Sequence, residues 1–336
     1  MQSSRSTISD VAKRAGVSIA TVSRVLNGSA PVDKGTAIRV RSAVDALNYV
    51  PHAAARILAS RRTSTLGLLL PEIGGAFFQP MLRGVEAEVS EAGFDLLIHT
   101  TQSHPETAPR RPLGENNTDG LLVFTESLDV RELSRLYAIG FPVVLLHQAP
   151  PKSLNIPVVT IENQSGAREI VDHLIEIHTC KRIAFLRGPE GHEDSTWREK
   201  GYHQALINHG LAIDPTLIVA GDFNRDVARA SVEQLLAGNV DFDAIFTGDD
   251  DSAVGVYDGL RHAGRRVPED VAVVGFDDSF FAHTLIPPLT TVHAPTEQVG
   301  REAVRQLIRI IRGLSVEPRL VLSTELIIRQ SCGCHD

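Results

Sequence analysis

Two acidic runs carry the clearest potential for chemistry. Asp249-Asp250-Asp251 and Asp277-Asp278 set carboxylates side by side. Such groups could cap a helix, hold magnesium, or act as an acid–base pair. Catalysis would also need a nucleophile and its base, and no P-loop, GxGxxG or HExxH motif accompanies them. The expectation is therefore no enzyme, no catalytic residue and no cofactor. The end of the chain reads SCGCHD, so Cys332, Cys334 and His335 are three soft ligands close together. Zinc usually takes four ligands with wider spacing between pairs. A frayed tail with free thiols, and no metal, is the expectation there.

Elements must position these groups, and the text from residue 66 onward supplies them. Short apolar runs recur at Leu66–Leu70, Phe94–Ile98, Leu121–Phe124, Val143–Leu146, Ile183–Leu186, Ala244–Thr247 and Val271–Val274. Such runs are nearly continuous, as in parallel strands covered on both faces. Helical patterns fall between most of them, at 77–91, 163–177, 196–209, 226–237, 251–263 and 296–312. This alternation predicts a doubly wound α/β architecture, long enough for two lobes. The cut between lobes is placed near 161–163, where the strand VVTI meets ENQSGAREI.

A chain of 336 residues suits two or three domains. Its 43% apolar and 22% charged content is ordinary for a globular protein. No apolar run approaches the ~20 residues of a membrane span, and the first residues lack a signal-peptide apolar core. Three cysteines are too few for a disulfide scaffold. A cytoplasmic protein with no membrane partner is expected. The net charge of −8 conceals an asymmetry, because residues 1–62 hold ten Lys/Arg against three acids and are strongly basic. A basic head on an acidic body fits either a nucleic-acid-binding module or a solvated cationic face.

The local sequence of the head favours the first alternative. In TISDVAKRAG, Thr7 and Asp10 have capping-box spacing, and Ile8, Val11, Ala12 and Ala15 form an apolar stripe before Gly16. In VSIATVSRVLNG, Ser18 is an N-cap and Asn27-Gly28 a stop, predicting a nine-residue helix. Ile19, Val22, Val25 and Leu26 gather on one face, expected to be buried, while Ala20, Thr21, Ser23 and Arg24 occupy the other. Val17 is expected inside the turn. A third helix near 34–47 would add apolar contacts from Ile38, Val40, Val44 and Leu47, completing an all-α helix-turn-helix core. Downstream, YVPHAAARILASRRT predicts a short alanine-rich helix after Pro51, marginal alone in water and followed by Arg61 and Arg62. It reads either as a plain linker or as a segment that folds in a minor groove.

DVAKRAGVSIATVSRVLNG, YVPHAAARILASRRT and TLGLLLPEIGGAFF, in that order, resemble the lactose/galactose-repressor (LacI/GalR) family of bacterial transcription regulators, over about Thr7 to Arg329. The resemblance implies a repressor that binds a near-palindromic double-stranded DNA operator as a homodimer. It makes Ile19, Ala20 and Arg24 major-groove readers and Thr21 and Ser23 backbone contacts, with Ser18 and Asn27 at the helix ends joining the DNA-binding set. Ala55 and Leu58 become hinge-helix residues entering the minor groove, with Leu58 as wedge. The body becomes periplasmic-binding-protein-like, and its lobes are not contiguous in sequence. The resulting layout is a helix-turn-helix domain over 1–50, a hinge over 51–63 and an effector and dimerisation domain over 64–330, with a tail at 331–336. One lobe takes about 64–161 and 294–320, the other about 162–293 and 321–330. The chain stops near Arg329 without a leucine-heptad extension, so a dimer rather than a tetramer is expected. One stretch departs from the family. Pro105, Pro109 and Pro112 oppose the helix normally found after the second strand, predicting a loop, or a shortened helix from about Arg111.

Ligands of open α/β sheets sit beyond the carboxyl ends of the strands. Residues just after the apolar runs therefore sample the pocket: Glu72, Ile73, Phe77, Phe78, Thr100, Thr125, His147, Asn163, Arg198, Phe223, Asp249, Asp250 and Asp277. Carboxylates, arginine and asparagine match adjacent hydroxyls, and aromatic faces cover the apolar side of a sugar ring. The resemblance places Asn163, Arg198, Asp250 and Asp277 at recurrent effector contacts, and Trp197 adjoins Arg198 and is expected near the cleft. One of Phe77 and Phe78 is expected in the core, and His147 reads as a pocket residue or as a satisfied core histidine. The reading is a ligand-responsive regulator with a sugar-like effector. The alternative is a sugar-binding protein or carbohydrate-active enzyme without DNA binding.

Overall fold

The computed structural model describes residues 6–27 (of Asn27 only the backbone), 30–49, 62–101 and 113–334, and divides into two compact units, Met1–Thr63 and Ser64–Asp336. In the first, α1 (Ile8–Ala15), α2 (Ile19–Asn27) and α3 (Lys34–Ala46) follow the predicted spans closely. The Thr7–Asp10 capping box is closed in both directions, with the Thr7 amide 2.9 Å from the Asp10 carboxylate. Gly16 turns the chain in the left-handed region at φ +67°, where a Cβ would be strained. Ser18 caps α2 by accepting the Thr21 amide at 3.1 Å. Val11, Ala12, Ala15, Val22, Val40, Ala43 and Tyr49 form the core, with Val17, Val25, Leu26, Val44 and Leu47 packed around it.

Two of the expected core residues are on the outside. Ile19 is 49% and Ile38 65% exposed. Each stands in the first turns of its helix, beyond the small triangle where three short helices meet. Neither belongs to the apolar cluster of the three helices, and helical periodicity alone could not show where that cluster ends. Ala55 and Leu58 of the expected hinge lie outside the described residues.

The second unit contains two parallel sheets. One has the order β11-β5-β4-β3-β1-β2, from β1 (Thr65–Leu70), β2 (Asp95–Thr100), β3 (Gly120–Phe124), β4 (Val143–Leu146), β5 (Val158–Ile161) and β11 (Arg319–Leu322). The other has the order β7-β6-β8-β9, from β6 (Ile183–Arg187), β7 (Ile218–Ala220), β8 (Ala244–Thr247) and β9 (Ala272–Val274). β10 (Thr291–His293) and β12 (Glu325–Ile327) form an antiparallel pair, and bridges from Val274 to Thr290 and Asp277 to His293 tie this pair to β9. The chain thus crosses between lobes after Ile161, after His293 and after Leu322. Apolar clusters on both faces of each sheet show why the strand runs are continuous: Leu66, Leu68 and Leu70 point to one cluster, Leu69 to another.

β2 departs from the expectation of a doubly covered strand. It is the sheet edge, and Leu97 and Ile98 remain 41% and 40% exposed. The helices Phe78–Glu91, Asn163–Glu176, Glu193–Asn208, Arg225–Ala237, Asp250–His262 and Thr296–Ile311 match the predicted patterns, although Glu193–Asn208 begins three residues before the expected start. The helix Val130–Ala138, capped by Asp129, fills a gap in the predicted pattern. Pro105, Pro109 and Pro112 lie outside the described residues, and beyond them Gly114–Thr118 forms a turn, with the Thr118 amide on the Gly114 carbonyl at 2.9 Å. The described part of the tail, residues 331–334, is not frayed as expected, and His335 lies outside the described residues. Ser331 is fully buried and Cys332 2% exposed, because the Ser331 backbone and hydroxyl bond to Val273.

Candidate effector cleft and nucleic-acid interface

Strands of both lobes end at one cleft of about 440 Å³, within the ~300–1,000 Å³ usual for small-ligand sites. From the first lobe come Glu72, Phe77 and Phe78 after β1, Thr101 after β2, and Thr125 and Glu126 after β3. From the second come His192, Asp194 and Arg198 after β6, Asp222 and Phe223 after β7, Asp249–Asp251 after β8, and Asp277 and Ser279 after β9. Both lobes therefore present strand carboxyl ends, as the parallel topology requires.

Arg198 is the hub. Its guanidinium is 2% exposed, donates from Nε to Asn163 Oδ1 at 2.9 Å and from Nη2 to Asp277 Oδ1 at 3.1 Å, and reaches the Gly248 carbonyl through Nη1. It stacks 3.8 Å from the Phe276 ring centroid, a planar cation on an aromatic face. Asn163 in turn donates to Asp194 Oδ1 at 2.8 Å. Asp194 Oδ2 meets His147 Nδ1 at 2.8 Å, so the network runs from the second lobe into the first. Burial would raise the Asp194 carboxyl, but His147, Arg198 and His192 outweigh it and hold it at about 2.

The other carboxylates behave oppositely. Asp249 caps the helix Asp250–His262 through the Ser252 amide at 3.1 Å, so the capping alternative is realised there. Asp250 accepts from Thr291 Oγ1 at 2.7 Å and the Ser279 amide at 2.6 Å. Burial, with neighbouring carboxylates, pushes Asp249 up to about 6 and Asp250 up to about 7, and raises Asp277 well above the ordinary range despite Arg198. One guanidinium does not neutralise so many carboxylates, and burial favours their protonated forms. His192 Nδ1 and Ser279 Oγ are buried at the wall and find no hydrogen-bond partner among the described residues. Glu126, Asp222, Phe223 and Asp277 hold left-handed backbone around this space, a concentration of strain typical of ligand sites.

Of the expected effector residues, Phe77, Phe78, Thr125, Arg198, Phe223, Asp250 and Asp277 line the cleft. Phe78 is the core member of its pair, 8% exposed, with its ring edge-on to Phe77 at 5.3 Å. Asn163 and His147 stand one layer behind the wall, both buried, bonded to Arg198 and Asp194. Three further expected positions lie outside the lining. Ile73 is 53% exposed and outside the lining, because the turn after β1 carries it outward. Trp197 turns away along its helix, where Nε1 donates to Glu193 at 3.2 Å and Lys200 Nζ sits 3.9 Å from its ring. Thr100 yields its place to Thr101. Sequence reading missed Asp194, His192, Asp222 and Ser279. Asp194 lies one helical turn before Arg198, a spacing that would have revealed it had the helix start been placed earlier.

In the first unit, α2 presents Ala20 and Arg24 exposed beside Ile19, with Ser18 exposed at its start. Thr21 and Ser23 are half-buried, and the Thr21 and Ser18 hydroxyls meet at 2.9 Å. The Asn27 side chain lies outside the described residues. Lys13, Arg14, Lys34, Arg39 and Arg41 are exposed on the same unit.

A helix-turn-helix unit, together with a two-lobed α/β unit that holds a polar cleft, is the make-up of a ligand-responsive DNA-binding transcription regulator. Residues 7–52 match the model of bacterial regulatory proteins of the lacI family, and residues 171–332 that of a periplasmic binding protein-like domain. The regulator CelR of Thermobifida fusca is 38% identical over 97% of this chain and 98% of its own. The ribose operon repressor of Halalkalibacterium halodurans is 34% identical over 97% of this chain and 96% of its own. A solved CelR–cellobiose complex is 36% identical, covers 97% of this chain and 100% of its own, and superposes with a TM-score of 0.73. A lac repressor dimer bound to operator and the anti-inducer ONPF shares the fold at a TM-score of 0.85, with 24% identity over 98% of this chain and 99% of its own. The chain belongs to the LacI family. Among its described residues no helix is long and apolar enough to cross a membrane.

Proposed function

We propose that this regulator binds a hydroxyl-rich sugar, with a short glucose-type oligosaccharide as the first candidate, and that binding changes its grip on an operator. The observation that carries this is the Arg198 network: a buried guanidinium fixed by Asn163 and Asp277 at a cleft wall shared with Phe77 and Phe223. Fixed planar groups suit vicinal hydroxyls, and two aromatic rings suit the apolar faces of a sugar. The cellobiose in the similar CelR complex points to the same class. The residues in named roles are Phe77, Phe78, Thr125, Arg198, Phe223, Asp250 and Asp277 as contacts, with His147, Asn163 and Asp194 positioning them.

For the head, Ile19, Ala20 and Arg24 read bases while Ser18, Thr21 and Ser23 hold phosphates, with Asn27 at the helix end. Ala55 and Leu58 enter the minor groove between two subunits of a homodimer. On this reading the working segments are 1–50, 51–63 and 64–330, and the protein acts in the cytoplasm, beside the DNA. A ligand can shift operator affinity only by binding the two arrangements of the body unequally. Titration calorimetry with cellobiose, ribose and glucose, repeated with labelled operator present, tests the reading. Saturable sugar binding that changes operator affinity is expected. Binding by none, or binding without effect on the operator, would overturn it.

A further inference from the structure

The end of the chain and the end of the helix Asn163–Glu176 bring two imidazoles and two thiols to one point, far along that helix from the cleft. His173 Nε2 lies 3.3 Å from His178 Nε2, and Cys334 Sγ lies 3.4 Å from His178 Nε2 and 3.7 Å from His173 Nε2. Cys332 Sγ completes the set, all four atoms lying within 4.8 Å of one another. Tetrahedral zinc with bonds of about 2.0–2.1 Å to nitrogen and 2.3 Å to sulfur would separate its ligands by about 3.3 Å for N–N and 3.5 Å for N–S. The three separations among His173, His178 and Cys334 fall near those values, and Cys332 Sγ lies within 4.8 Å of each. We propose that His173, His178, Cys332 and Cys334 bind one zinc ion in a structural Cys2His2 site.

The arrangement is poorly explained by hydrogen bonding alone. Two imidazole Nε2 atoms facing each other share at most one proton, and thiols are weak donors and acceptors. A cation makes all four contacts attractive together. Binding releases the two thiol protons to solvent and leaves a neutral Zn(Cys⁻)2(His)2 centre. With four protein ligands no position stays open, so the ion is structural rather than catalytic. The four residues between His173 and His178 fall within the usual histidine spacing of zinc sites, whereas Cys332-Gly333-Cys334 is tighter than usual. Gly333 makes that tight pair workable, because it turns at φ +104° where a Cβ would meet His178 Nδ1 at 3.2 Å. The Cys332 sulfur is also held independently of any ion. The Thr290 amide donates to Ser331 Oγ at 2.8 Å, the Ser331 hydroxyl donates to the Val273 carbonyl at 2.6 Å, and the Thr290 hydroxyl donates to Cys332 Sγ at 3.1 Å. Zinc would thus staple the chain end to the helix whose first residue is Asn163.

The test uses the full chain with no polyhistidine tag, reduced, stripped with chelator and dialysed against zinc. Elemental analysis should give about one zinc per chain, cobalt should give the intense visible bands of a tetrahedral thiolate site, and zinc should raise the melting temperature. Cys334→Ser and His178→Gln, both half-buried positions whose folding is checked by circular dichroism, should each weaken zinc binding at least about tenfold. His335→Ala should not. Sub-stoichiometric zinc in the wild type, octahedral-type cobalt spectra, or equal zinc affinity in Cys334→Ser and wild type would overturn the proposal.

Discussion

His147 Nδ1 and Asp194 Oδ2 meet at 2.8 Å with both side chains buried, one at the end of β4 in the first lobe and the other in the helix Glu193–Asn208 of the second. This bond crosses the cleft behind its wall and joins the Arg198 network to the opposite lobe. Removing one partner strands the other, together with the Asn163 amide that also donates to Asp194. Asp194→Ala should therefore lower the unfolding free energy of the body by ~3–5 kcal/mol, measured by urea denaturation. A loss below ~1 kcal/mol would mean the pair adds little beyond solvated charges. Because the carboxyl is held at about 2, below its ordinary 3.8, its contribution is complete above about pH 4 and fades as pH falls toward 2. The stability gap between wild type and Asp194→Ala should narrow over that window.

Asp250 carries the opposite sign. Burial lifts it to about 7, so between about pH 4 and 7 the folded chain binds a proton that the unfolded chain has released. Stability then falls as pH rises through that range. Asp250→Asn should flatten part of the slope, leaving the shares due to Asp249, which is raised to about 6, and to Asp277, which burial also raises. Melting temperatures taken across that range decide it, and an unaltered slope would assign the effect elsewhere.

Arg198→Lys retains the charge but loses the planar fork that serves Asn163, Gly248 and Asp277 at once. Sugar affinity should fall at least about tenfold, while operator binding without sugar stays near wild type. Calorimetry and operator binding on the same preparation check both halves. Joint loss would indicate a folding defect.

Arg24 stands exposed on α2 beside Ala20. Arg24→Ala should cost about 1–3 kcal/mol and relax base preference at one position per half-site. Selection from a randomised operator library measures this, and an unchanged preferred sequence would remove Arg24 from the reading set.

For the hinge, Leu58→Ala should weaken specific operator binding far more than binding to random duplex, since a wedge acts only where bent DNA is held. Equal losses on both duplexes, in a salt-matched titration, would be falsifying for the wedge role.

Local signals in the sequence were strong where a structure is built from neighbours. The Thr7–Asp10 box, the Ser18 cap and Gly16 each act within four residues, and α1 and α2 form as the sequence predicts. Continuous apolar runs marked the buried strands because both faces of those strands are covered. Arg198, Asp250 and Asp277 were legible because parallel strands deliver whatever follows them to one cleft.

Coverage and distance were not legible. Periodicity assigned Ile19 and Ile38 a face, but only packing showed that the face ends before them, and only sheet order made β2 an exposed edge. His147 and Asp194 are 47 residues apart, and His178 and Cys334 are 156 apart. No local rule pairs such positions, because the partner is chosen by how strands and helices are laid side by side. The sequence by itself determined which helices and strands exist, where they cap, and which charged residues follow them. The tertiary structure alone decided which of those charges share a guanidinium, and that two histidines meet two cysteines, since a burial cost or a ligand geometry exists only once the chain has closed around it.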